Sequence, residues 1–128
     1  MKSLLSGIVV AFALAWSGIA SSQYPDQERP HHGGVTNWNT NSEYSFELVS
    51  SKSRITLYVE DHDTPVPTKG AKGTLVIRRG ETSSSTSLAP AGGNRMVARG
   101  ASTKRGDRVV ATVTLANGAV MMGRFLIR

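Results

Sequence analysis

Three histidines are the residues of this chain best suited to bind a ligand, and they are unevenly placed. His31 and His32 stand side by side in Pro30-His31-His32-Gly33-Gly34, and His62 sits in Glu60-Asp61-His62-Asp63. Neutral imidazole and carboxylate oxygen are the donors that divalent ions such as Zn²⁺, Cu²⁺, Ni²⁺ and Co²⁺ accept. Neighbouring residues of an extended strand point opposite ways, so the adjacent pair could not grip one ion there. The flanking glycines let both rings swing to one side, at an ordering cost. If the segment carrying the pair folds back over the loop carrying His62, three imidazoles and a carboxylate complete one site. The bland alternative is a solvated His pair and a Glu-Asp-His-Asp turn whose carboxylates cap backbone amides.

Other chemistries find little support. With no cysteine, a thiolate nucleophile, a zinc–thiolate site and an iron–sulfur cluster are all excluded. HExxH, a Gly-rich phosphate loop and a GxSxG elbow are absent, so no enzyme is expected. Ser83, Ser84 and Ser85 read as solvated strand residues. Met121 and Met122 are adjacent in a predicted strand and Met96 lies in another, which suits core packing better than a soft-metal site. Trp38, close to the His pair, is expected to pack over an edge of the domain.

The elements that must position these residues follow from pattern. Lys2 and the apolar run over 4–16, followed by small residues at Ala20, Ser21 and Ser22, read as a secretory signal peptide over 1–22. The run is shorter than the roughly 20 residues a bilayer demands, so no integral membrane segment is expected in the mature chain. Residues 23–42 have neither helical nor strand period and read as a flexible leader. From 43 to 128 strands are expected over 44–48 and 54–60, where the period is two, and over 74–79, a polar 83–88, 95–99, 108–115 and 119–127. Asn117-Gly118 is the strongest hairpin signal among them. Turn signals every 8–12 residues point to an all-β, seven-stranded antiparallel immunoglobulin-like β-sandwich after a cleaved signal peptide.

Charge is asymmetric. Residues 23–63 carry about −4 and residues 64–128 about +9. No aromatics interleave with the basic residues, which argues against nucleic acid. Solvated basic strand faces are the plain reading, and contact with an anionic envelope surface or an acidic partner is the functional one.

The ordered segments HHGG (31–34), YSFELV (44–49), ITLYVEDH (55–62), PVPTKGAKGTL (65–75) and LAPAGGNR (88–95) resemble a family of small periplasmic proteins encoded beside heavy-metal efflux systems in Gram-negative bacteria. A similar module forms the N-terminal extension of some periplasmic adaptor subunits of metal-exporting RND pumps. The resemblance spans residues 31–127. It implies a non-catalytic, periplasmic metal-binding accessory of a cation efflux or resistance system, with an efflux adaptor or pump subunit as partner. The ligands it implies are His31, His32 and His62, with oxygen from Asp61 and from Glu60 or Asp63, for Cu, Zn, Co or Ni. The chain departs from the family pattern at Asp63 and Thr64, where a tighter Gly-containing turn is expected, and at Ser45, where some relatives carry His. Copper-resistance sandwiches typically place a His at the mature N-terminus, whereas His31 lies well inside it. The rival reading is an exported immunoglobulin-like structural or adhesion module that binds a protein partner through its basic face.

Overall fold

The computed structural model describes residues 30–37 and 44–128, and every regular element within them is a β-strand. The expected signal peptide, most of the expected leader and Trp38 lie outside the described residues. No helix of the described residues is long and apolar enough to cross a membrane.

All seven expected strands form: β2 (Tyr44–Ser50), β3 (Arg54–Asp61), β5 (Lys72–Arg79), β6 (Thr82–Pro90), β7 (Arg95–Arg99), β8 (Arg108–Thr114) and β9 (Val120–Leu126). Two more, β1 (Val35–Thr36) and β4 (Thr64–Pro65), are two residues each and too short to leave a period in the sequence. All pairings are antiparallel, in the order β1-β2-β3-β7-β6-β5-β8-β9, with β4 on β3. The nine strands thus form one sheet nearly closed as a barrel, eight along a single path with β4 beside it, where seven strands in two separate layers were expected. The cause is β6. Its residues from Thr82 to Leu88 pair with β5, and Ala89 and Pro90 then pair with β7, so one long strand belongs to both halves.

Alternation builds the interior. Ile55, Leu57 and Val59 of β3, Val109, Ala111 and Val113 of β8, and Met121 and Phe125 of β9 are buried with Phe46, Leu48, Leu75 and Met96. Each large side chain so buried contributes about 1.5–3 kcal/mol. Met122, one residue from Met121, faces outward as the period requires. The Asn117-Gly118 hairpin forms, with Gly118 at φ 88° and the Leu115 amide donating to the Ala119 carbonyl. At the entry to β8 the buried Asp107 accepts hydrogen bonds from Arg79 Nε and Nη2 at 2.9 and 2.7 Å and from the Lys104 amide at 2.8 Å. The Arg79 guanidinium holds the Asp107 carboxyl below the usual range, against the opposing effect of burial.

Near-closure of the path brings β9 against β2, where Gly123 faces Phe46. Asn37 bridges there too: its amide donates to the Phe46 carbonyl and its Oδ1 accepts from the Phe46 amide. A Cβ built on Gly123 would overlap the Phe46 ring, which is buried and cannot swing away. Gly123→Ala is therefore expected to destabilise the protein by about 1–3 kcal/mol through overpacking, read as a lowered urea midpoint. Adding Phe46→Leu should recover part of the loss.

Candidate functional site

The site is built on the outer face of β2 and β3, from residues that alternation turns away from the core. Phe46 and Leu48 point inward, so Glu47 points outward, beside Tyr58 on the neighbouring strand. An outward glutamate on an edge pair is normally solvated. Glu47 is only 4% exposed, because residues 31–34 cross over it. Its Oε1 accepts the His31 amide at 2.8 Å, and its Oε2 accepts those of His32 and Gly34 at 2.8 and 2.9 Å. The His32 ring stands at 3.1 Å through Nδ1. Burial pushes the Glu47 carboxyl up, but the Gly34 amide, the His32 ring and the His32 and His31 amides together hold it below the ordinary value. Successive amides converge on one anion in this way only where the backbone turns sharply. Gly33 supplies the turn with φ at 72°, and Gly34 lies so close to the Leu48 carbonyl that no Cβ fits.

Once clasped, the two histidine rings diverge. The His32 ring stacks on Tyr58 with centroids 3.7 Å apart and planes 5° from parallel. The His31 ring lies the other way, with Nδ1 at 3.1 Å from Glu60 Oε1 and Nε2 at 3.9 Å from Asp63 Oδ1. The hydrogen bond to Glu60, and its charge, hold the His31 pKa above its ordinary value of 6.5.

Glu60 and Asp63 are set by the end of β3. Asn94 fastens this end: its carbonyl accepts the Val59 amide at 2.9 Å and its Nδ2 donates to the Val59 carbonyl at 3.1 Å. The buried Thr68 ties the following loop to the same turn through Gly93 and Arg95. The 89–94 turn therefore works through backbone geometry. Beyond Asp61 the chain reverses through His62 and Asp63 alone, with φ at 47° and 68°, the both-positive pattern of a type I′ hairpin turn. The turn is as tight as a Gly-containing one, although neither residue is glycine. It carries Asp63 back toward Glu60.

The expected ligand set is thus divided. His31, Glu60 and Asp63 come together, one ligating atom from each lying within 4.8 Å of the others. His32 is engaged by Tyr58 and Glu47. Asp61 follows Glu60 on the strand and so turns to the other side, where its carboxylate meets His62 Nδ1 at 2.7 Å; the His62 side chain is exposed. Glu47 and Tyr58 were not anticipated as parts of the site. Their only sign in the sequence is an acid and an aromatic at outward strand positions, and nothing in that pattern says a distant segment will cover them.

In tetrahedral coordination with bonds of about 2.0–2.2 Å, neighbouring donors stand about 3.3–3.6 Å apart. The 3.1 Å separation is at His31 Nδ1 and the 3.9 Å separation at Nε2 of the same ring; an ion takes one of these nitrogens, so the ring and the exposed Asp63 must both move to gather one imidazole nitrogen and the two carboxylates. Compared with known proteins, the chain matches no protein-family model, and no curated protein or solved structure matches it.

The opposite pKa shifts define when the clasp is tightest. Glu47, held low, contributes fully above its ordinary value of 4.5 and loses its contribution as pH falls through its lowered value. His31, held high, contributes fully below 6.5 and loses its contribution as pH rises through its raised value. Exchange protection of the His31, His32 and Gly34 amides is therefore expected to be greatest between about pH 4.5 and 6.5, measured by amide hydrogen exchange. Glu47→Gln should lower it about tenfold or more, since charge-assisted bonds are replaced by weaker neutral ones. Unchanged protection in that variant would show that the clasp is not what holds the segment.

Proposed function

We propose that this protein is an exported, non-catalytic accessory that captures and releases a divalent transition-metal ion in the periplasm, serving a cation efflux or resistance system. The observation that carries the reading is the His31–Glu60–Asp63 cluster, assembled from a leader segment and a strand end far apart in sequence. One imidazole and two carboxylates form a borderline donor set suited to Zn²⁺ and its neighbours, with the remaining positions open to water. An open site of three protein donors suits exchange better than permanent storage. The resemblance to periplasmic metal-resistance proteins supports the compartment and the partner, an efflux adaptor or pump subunit. It also supports the finer architecture. The seven long strands lie in the order β2-β3-β7-β6 and then β5-β8-β9, which is the A-B-E-D and C-F-G order of immunoglobulin-type sandwiches. We read the fold as a member of that class in which the fourth long strand is shared between sheets.

In this reading the metal replaces the proton that His31 shares with Glu60. Affinity should fall as pH drops through the raised His31 pKa, by about tenfold per unit for one displaced proton. Calorimetric titration with Zn²⁺ and Cu²⁺ at pH 7.5 is expected to show binding that His31→Ala and Glu60→Gln each weaken at least about tenfold. His62→Ala should change it little, because His62 faces Asp61 instead. No measurable binding, or equal losses in His31→Ala and in His62→Ala, would sink the three-residue site.

A further inference from the structure

The basic half of the chain holds a second feature, independent of the metal site. Strand register places Arg78 of β5 directly opposite Arg108 of β8, and both are exposed on the outer face. Like charges directly opposite across strands are destabilising, so such a pair is a place where an anion is favoured. Arg124 of β9 and Arg128 join them. The four arginines line a groove of about 770 Å³, with Phe125 at its wall and Thr36 on the far side, between β1 and β9 where the strand path does not close. Among the described residues no ion pair engages Arg78, Arg108 or Arg128, whereas the neighbouring Arg79 is taken by Asp107.

The number of guanidinium groups decides which anion fits. A carboxylate is satisfied by the fork of one arginine, while a phosphate presents three or more acceptor oxygens and up to two charges and can engage several forks together. The groove also has apolar surroundings. Val35, Phe125 and the exposed Leu126 line it beside the arginines. Its volume is that of a small-molecule site.

We infer that this groove binds a phosphate group carried on an apolar body, with Arg78 and Arg108 holding the phosphate and Val35, Phe125 and Leu126 taking the body. The phosphate belongs either to a soluble phosphorylated compound or to a lipid headgroup.

The test titrates the purified protein with inorganic pyrophosphate by NMR and sediments it with vesicles of phosphatidylglycerol or of phosphatidylcholine. The Arg78→Gln/Arg108→Gln variant is compared with Lys69→Gln/Arg105→Gln, which removes the same charge from exposed positions elsewhere. Binding to pyrophosphate that drops at least about tenfold in the arginine variant, and less than about twofold in the control, supports a phosphate site open to soluble ligands. The same contrast seen only with phosphatidylglycerol vesicles supports a headgroup as the source. Equal losses in the two variants, or binding to neither probe, overturns the inference. Hexaglutamate binding as tightly as pyrophosphate also overturns it, in favour of protein docking on the basic face. Well-dispersed NMR spectra of both variants establish that they remain folded.

Discussion

A carboxylate shut away from water has to be satisfied by the protein or it destabilises the fold, and Glu47 is such a group. Three backbone amides and an imidazole converge on it, and together they hold its pKa below the ordinary value although burial pushes it up. The segment that supplies these donors has no core of its own. Residues 31–34 contribute no buried hydrophobic side chain; besides the His32–Tyr58 stack, the His31–Glu60 contact and the pairing of β1 that follows, their position over the strands rests on the bonds to Glu47. His31 reaches Glu60 because His31, His32 and Gly34 are held to Glu47. The candidate ligand cluster is therefore a consequence of the clasp, and the clasp follows from one acid at an outward position of β2.

That position is in turn coupled to the core. Two residues of the same strand, Phe46 and Leu48, are buried in the core, and Phe46 rests on Gly123 where β9 comes against β2. The backbone of β2 cannot shift to relax the clasp without disturbing that contact. Close packing transmits small displacements instead of absorbing them, so the outer site inherits rigidity from the inner face. The fastening of β3 by Asn94 and of its loop by Thr68 does the same for Glu60 and Asp63.

Much of this was legible in the sequence, for a definite reason. A period of two marks a strand with one dry face, as in β3, β8 and β9, whereas β6, exposed along most of its length with only Leu88 buried, was marked by the turns on either side of it. Asn117-Gly118 marks a turn by its own conformational preference, without help from tertiary structure. What could not be read depends on contacts between distant segments. Nothing local to residues 82–90 says that β6 will pair with β5 along most of its length and with β7 at its end. The sequence placed His31, His32 and the 60–63 carboxylates in one neighbourhood but could not sort them. Sorting required the side of β3 on which Glu60 and Asp61 each emerge, and a two-residue reversal at His62 and Asp63, both in a conformation that glycine usually supplies. The divergence of His31 and His32 was one of two outcomes the sequence left open, since the flanking glycines equally let both rings swing to one side. The stacking of His32 on Tyr58 was not foreseeable.

The charge asymmetry of the chain acquires a spatial meaning in the folded protein. The acidic half supplies Glu47, Glu60 and Asp63, and the basic half supplies the arginines of the groove. The two meet at one short segment. Gly34 gives its amide to Glu47 and also lines the groove, beside Val35 and Thr36 of β1 and opposite Phe125. Anything that lifts residues 31–34 from Glu47 thus removes His31 from the carboxylates and displaces a wall of the arginine groove in the same movement. The free energy that holds this segment down is common to both features, and any ligand whose binding depends on the docked segment must, by linkage, favour the docked state.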